Sequence, residues 1–168
     1  PYNSYGNGSA VRVSPVAWVA ESLPECLALA KASAEVTHDH PDGIAGALAV
    51  AGAVYLARTG ADKEAIRDHV TRYYRLDFTL DEIRKDYKLD TSCAGSVPQA
   101  LEAFFEAEDF EDAIRGAVSI GGDSDTIAAI TGAVAAAFYG VPKAIRAEAM
   151  KCIDGEVRNI YDRFAKEY

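Results

Sequence analysis

The segment from Asp42 to Arg58 constrains the fold more than any other part of the chain. Between these two charged residues it holds only Gly, Ala, Val, Leu and Ile and the single aromatic residue Tyr55. A helix that is apolar nearly all round must be covered by other elements. Gly60 follows at a position where glycine commonly ends a helix. The segment therefore predicts a central buried helix.

The rest of the chain also favours helices. Its apolar residues recur mostly at helical spacing, and it contains 31 alanines. Start and stop signals predict further helices over residues 10–20, 22–36, 62–75, 79–87, 96–107, 110–118, 123–139 and from 141 onward, with a break at 155. Residues 90–95 are predicted to be a loop. We expect one all-α domain over residues 1–168, because this length supports one sizeable core.

Charge and hydropathy exclude some classes of function. The formal net charge of −9 disfavours a protein that binds the nucleic-acid backbone nonspecifically. The apolar stretch from Ile127 to Tyr139 is too short to span a bilayer, and no charged and apolar leader opens the chain. We therefore expect no membrane association and a cytoplasmic location.

The sharpest local motif is Gly121-Gly122-Asp123-Ser124-Asp125-Thr126 at a predicted helix start. Two carboxylates and a hydroxyl are hard oxygen ligands, which suit Mg²⁺ or Mn²⁺ better than Zn²⁺. The spacing alone leaves an alternative open: Asp123 caps the helix and Asp125 complements its dipole.

A second candidate site is the turn Ser4-Tyr5-Gly6-Asn7-Gly8-Ser9-Ala10, which precedes a predicted helix. Exposed backbone N–H groups in such a turn can cradle a phosphate, although an ordinary Asn-Gly turn explains the same residues. Tyr5 could stack on a base or ribose. His38 lies in a polar linking loop, where its imidazole can donate to a ligand or a carbonyl.

The remaining candidates have simpler interpretations. His69 falls in an amphipathic pattern and is predicted to be solvated. Cys26, Cys93 and Cys152 are scattered, so they predict buried small side chains rather than a disulfide framework or a zinc site.

Taken together and in order, four segments resemble the ADP-ribosylglycohydrolase family. They are Ser4 to Arg12, Thr37-His38, Ser96-Val97-Pro98 and Gly121 to Thr126. The resemblance covers nearly the whole chain. It implies a compact orthogonal multi-helix bundle of that family's type, with a cleft for two Mg²⁺ ions, Mn²⁺ being an alternative. It also implies removal of ADP-ribose from a modified side chain or small acceptor by cleavage at the distal ribose.

The same resemblance assigns roles to residues. Asp123, Asp125 and Thr126 would be metal ligands, and the two aspartates would act in catalysis. Ser4, Tyr5, Gly6, Asn7 and Gly8 would lie against the diphosphate and distal ribose of ADP-ribose or an ADP-ribosylated substrate. His38 would contact the ligand as well, and the loop before Ser96 would approach the adenosine end.

One departure from the family pattern leaves the function open. Family members carry an N-terminal helical region that contains a catalytic glutamate and a Thr-Asp-Asp segment, and the Thr-Asp-Asp segment supplies further metal ligands. This sequence contains no Thr-Asp-Asp. We therefore expect an enzyme completed by an N-terminal part, supplied in the parent protein or as a separate chain. The alternative is an inactive ADP-ribose-binding or structural member. Arginine-, serine- and acetyl-linked ADP-ribose all remain open as substrates.

Overall fold

The computed structural model describes residues 1–168, and every regular element in it is a helix. The helices are α1 (Gly8–Val11), α2 (Ser14–Val19), α3 (Leu23–Glu35), α4 (Pro41–Arg58), α5 (Lys63–Val70), α6 (Leu80–Ile83), α7 (Cys93–Glu106), α8 (Phe110–Ser119), α9 (Ser124–Tyr139), α10 (Lys143–Ala149) and α11 (Gly155–Glu167). Extended pairing is limited to one antiparallel bridge between Gly6 and Ser92. The all-α prediction is confirmed.

Helix α4 is the centre of the core, as its apolar sequence predicted. It contacts α1, α2, α3, α5, α7 and α9. All of its buried residues are Gly, Ala or Val. Such small side chains allow neighbouring helices to approach its backbone closely, and dense packing then stabilises the arrangement through dispersion contacts.

Several helix boundaries differ from the predicted ones. The helix predicted over residues 10–20 is divided into α1 and α2, because Pro15 has no N–H to donate to the carbonyl of Val11, where α1 ends. Helix α7 begins at Cys93, inside the predicted loop, since Ser92 caps it by accepting the Gly95 N–H at 3.0 Å. Helices α5 and α6 stop earlier than predicted.

His69 is buried, so the prediction that it is solvated is wrong. Only 2% of the residue is exposed. Its Nε2 lies 3.1 Å from the carbonyl oxygen of Leu48, and its ring and the Tyr73 ring form a T-shaped pair. Gly52 on α4 leaves the space that the imidazole occupies. The apolar spacing in α5 predicted a helix correctly, but it did not show that Gly52 on α4 leaves room for a polar ring.

The cysteines also divide in a way that the sequence did not predict. Cys26 and Cys93 are buried, as expected, whereas Cys152 is exposed. Cys152 follows α10, and neither α10 nor α11 contains a buried residue. None of the helices combines the length and apolarity needed to cross a bilayer.

We expect Gly52→Ala to destabilise the fold by about 2–4 kcal/mol, because the added methyl group overlaps the His69 ring and displaces it from the Leu48 carbonyl. Urea unfolding at neutral pH measures this change. Gly155→Ala is the matched control, since a Cβ atom there meets no neighbour within 4 Å. Equal stability of the two variants would contradict the packing described for α4 and α5.

The buried His69 also predicts a pH dependence of stability. Burial and the nearby Arg72 lower the pKa of the imidazole below its ordinary value of 6.5, against a smaller opposing effect of the bond to the Leu48 carbonyl. As the pH falls through 6.5 the unfolded chain takes up the proton more readily than the folded chain, so the free energy of unfolding decreases. Urea unfolding at about pH 7.5, 6.5 and 5.5 should show this slope.

His69→Gln should reduce the slope, because glutamine does not titrate. His38, whose pKa is also lowered, accounts for a remaining part. An identical slope in the wild type and in His69→Gln would rule out His69 as its source.

Candidate functional site

Backbone hydrogen bonds fix the glycine-rich turn against the segment that precedes α7. The Asn7 N–H donates to the carbonyl of Thr91 at 2.8 Å, and the Cys93 N–H donates to the carbonyl of Tyr5 at 2.9 Å. The turn leads directly into α1, which is a single helical turn. Its position is therefore set by a segment almost ninety residues away in the sequence, rather than by α1 alone.

His38 lies against the glycines of this turn. A Cβ atom at Gly8 would be 3.1 Å from His38 Nε2, and one at Gly6 would be 3.7 Å away. His38 Nδ1 forms a 2.6 Å hydrogen bond with the Thr37 hydroxyl, which fixes the ring. Burial and the charge of Arg12 lower the pKa of His38, so the imidazole is mainly neutral at pH 7. The structure thus brings His38 and the turn together.

Asp123 occupies the cap position of α9, but its side chain does not cap the helix. Its Oδ2 instead accepts a 2.6 Å hydrogen bond from the side-chain amide of Asn7. Gly121 and Gly122 both have positive φ, of 74° and 66°, and they turn the chain into α9. The simple capping alternative for Asp123 is therefore wrong, and its carboxylate joins the segment Gly121 to Thr126 to the glycine-rich turn.

Asp125 and Thr126 lie in the first turn of α9. Asp125 is exposed, and its Oδ1 accepts the N–H of Thr126 at 2.9 Å. With Asp123 they offer two carboxylates and a hydroxyl, the donor types that Mg²⁺ prefers. No group of three His, Cys, Asp or Glu side chains able to hold a metal is present. Three such donors would make up only part of a Mg²⁺ shell.

Ser4 and Tyr5 complete the predicted turn. The Ser4 hydroxyl accepts the Gly6 N–H at 3.2 Å, so it stabilises the turn itself. Tyr5 is 58% exposed, and its ring and the His40 ring form a T-shaped pair with centroids 5.7 Å apart. Its exposed face can receive a planar ligand.

Sequence reasoning named Asn7 and the Ser96 segment but missed the hydrogen bonds that connect these motifs. The Asn7 amide also donates to the Ser96 hydroxyl at 2.9 Å, and the Ser96 hydroxyl donates to the carbonyl of Asp90 at 2.8 Å. Burial, with the charges of Asp90 and Asp123, raises the pKa of Tyr87 to about 12. Local patterns carried no signal for these contacts, because Asn7 and Ser96 are 89 residues apart.

A sequence model of the ADP-ribosylglycohydrolase family matches residues 1–168. The chain belongs to this family. An uncharacterized protein of Archaeoglobus fulgidus is 35% identical over 76% of this chain and 47% of its own length. Human "ADP-ribosylhydrolase ARH3" is 27% identical over 82% of this chain and 51% of its own length.

A solved structure agrees with the sequence comparison. A chain described as "ADP-ribosylglycohydrolase-related protein complex" superposes with a TM-score of 0.69 and 28% identity, over 85% of this chain and 54% of that one. The predicted fold class is confirmed. The chain spans about half the length of the relatives that it matches.

The close contact between the glycine-rich turn and Gly43 of α4 gives a testable prediction. A Cβ atom at Gly43 would lie 2.7 Å from the backbone carbonyl oxygen of Ser4 and 3.0 Å from His38 Cβ. Because backbone cannot yield as a flexible side chain does, Gly43→Ala should displace the turn. We expect the amides of Asn7 and Cys93 to exchange with solvent about tenfold faster or more, as measured by hydrogen exchange.

Gly116→Ala provides the control for this experiment, since a Cβ atom there would first meet the flexible end of Leu80 at 3.3 Å. Unchanged exchange at Asn7 in Gly43→Ala would contradict the described seating of the turn.

Proposed function

We propose that this chain supplies the ADP-ribose-binding part and one metal-ligand group of a Mg²⁺-dependent ADP-ribosylglycohydrolase. The observation that carries the proposal is the hydrogen bond between Asn7 and Asp123, which joins the glycine-rich turn to the oxygen donors of α9. Family membership supports the reaction class, because relatives are named as ADP-ribosyl hydrolases. The ligand is ADP-ribose carried on a protein side chain or a small acceptor.

Each part of the site has a role in this proposal. Ser4, Gly6, Asn7 and Gly8 line the position of the diphosphate and distal ribose. The neutral imidazole of His38 presents a hydrogen-bonding nitrogen to the same region. Tyr5 offers its exposed ring to the base or a ribose.

The metal group consists of Asp123, Asp125 and Thr126. Mg²⁺ held there would orient the ribose hydroxyls and acidify a bound water as the glycosidic bond breaks. The two aspartates are the catalytic residues that we assign in this chain. Because they supply only part of a six-oxygen shell, we infer that further ligands come from an N-terminal part, in the parent protein or in a separate chain.

A second candidate function is a non-enzymatic ADP-ribose-binding protein. It is favoured by the incomplete donor set, because the chain offers no group of three acidic or imidazole ligands. Mg²⁺-dependent release of ADP-ribose from an ADP-ribosylated protein by this chain alone would exclude it.

The proposal predicts that ADP-ribose binds to this chain more tightly with Mg²⁺ than with EDTA. Isothermal titration calorimetry in the two buffers measures the difference. Asp123→Asn should weaken the Mg²⁺-supported binding by about tenfold or more, because one carboxylate ligand loses its charge. Asp162→Asn is the matched control, since Asp162 is an exposed carboxylate on α11 without a side-chain hydrogen bond.

The outcomes separate the two parts of the proposal. Equal affinity in Mg²⁺ and EDTA would contradict the metal role of α9 and leave a binding protein. No binding in either buffer would contradict the assignment of an ADP-ribose site to this chain.

A further inference from the structure

We propose that Asn7 and Ser96 are positioning residues that hold the Asp123 carboxylate and couple it to the glycine-rich turn. This inference rests on the proposed function, but the hydrogen bonds that it concerns are present in the chain without any ligand. Asn7 then acts on Asp123 through its side-chain amide, in addition to any contact of its backbone with a ligand. Ser96 acts only through Asn7.

The hydrogen bonds fix the orientation of the Asn7 amide. Its nitrogen donates one hydrogen to Asp123 Oδ2 at 2.6 Å and the other to Ser96 Oγ at 2.9 Å. The Ser96 hydroxyl donates its only hydrogen to the carbonyl of Asp90, so its oxygen can only accept from Asn7. A carboxylate likewise can only accept. Both neighbours therefore require the NH₂ group, and a rotated amide would place an oxygen against two acceptors.

Burial makes this orientation costly to lose. Asn7 is 9% exposed and Ser96 is fully buried. Hydrogen bonds to a charged acceptor are stronger than neutral ones, and a buried donor without a partner is strongly disfavoured. The amide thus has one stable arrangement, in which it holds one oxygen of Asp123 in place.

The other oxygen of Asp123 is then left for a ligand. Asp123 lies at the cap position of α9 without accepting from that helix, and Oδ1 makes no hydrogen bond within the chain. The bond from Asn7 explains why this carboxylate is turned away from the α9 backbone. It prepares one oxygen for external coordination while its partner is fixed.

The same amide links three elements. Asn7 precedes α1, Ser96 lies in α7 and Asp123 precedes α9. A ligand that shifts the turn must therefore move the amide, and with it the carboxylate. Binding at the turn and cation binding at Asp123 would share this coupling, and the effect of each on the other would be reciprocal.

The first test uses the ligand-free chain and nuclear magnetic resonance of its side-chain amides. We expect the Asn7 NH₂ protons to exchange with water much more slowly than those of the exposed Asn159 on α11. Asp123→Ala and Ser96→Ala should each remove this protection, whereas Ser96→Thr should retain it because the hydroxyl is kept. Ser33→Ala is the matched control, since the Ser33 side chain makes no hydrogen bond. Equal exchange of Asn7 and Asn159 in the wild type would overturn the inference.

The second test asks whether the bond positions the carboxylate for a cation. Mn²⁺ alone is titrated into each variant and followed by electron paramagnetic resonance, and circular dichroism confirms that each variant is folded. Ser96→Ala should weaken Mn²⁺ binding by about tenfold, which is the lower end of the range for losing a residue that supports a metal ligand. Ser96→Thr should restore the Mn²⁺ affinity. A purely structural role would leave Mn²⁺ affinity unchanged in folded Ser96→Ala, and that result would overturn the inference.

Failure of the proposed function has a different signature. If the wild type binds no Mn²⁺, the metal part of that function is wrong, and the amide exchange of Asn7 decides the positioning of Asp123. If the wild type binds Mn²⁺ but Asn7 is unprotected, the metal role stands and the inference is overturned.

Discussion

The whole structure depends on the close approach of other elements to α4. Its buried surface consists of Gly, Ala and Val, so six helices can reach its backbone. A side chain at Gly43 would overlap both the turn and His38. A side chain at Gly46 would overlap Cys93, and one at Gly52 would overlap His69. A tightly packed interior has no spare volume to absorb such additions. The small residues of α4 therefore set the distances at which the functional segments meet.

The candidate site lies on this packed centre. The Ser9 hydroxyl donates to the carbonyl of Gly43 at 2.7 Å, and the Cys93 thiol donates to the carbonyl of Gly6 at 3.2 Å. One bond ties the start of α1 to α4, and the other ties the turn to α7. Burial raises the pKa of Cys93, so the thiol acts there as a neutral donor. Rigid support of this kind preorganises a binding site.

The net charge of the chain explains why an anion must be held by hydrogen-bond donors and cations close to it. The protein carries a net charge of −9, which repels a diphosphate at long range. The nearby Arg12 is already engaged, since its guanidinium donates to the Ser33 carbonyl at 2.8 Å and to the Thr37 hydroxyl at 2.9 Å. In the proposed function, the N–H groups of Gly8 and Ser9, which make no hydrogen bond within the chain, and a cation at Asp123 would therefore supplement the charge of Arg12.

The sequence by itself determined the helical class, the central place of α4 and the segments that carry the candidate site. Periodicity, caps and glycine positions are local properties, and they predicted α3, α4 and α9 nearly to the residue. Only the tertiary structure decided that His69 is buried and that Asp123 accepts from Asn7 instead of capping α9. Those outcomes depend on which side chains meet across 116 residues, or on the space that a glycine leaves on a neighbouring helix. No local pattern encodes such contacts, because packing selects them.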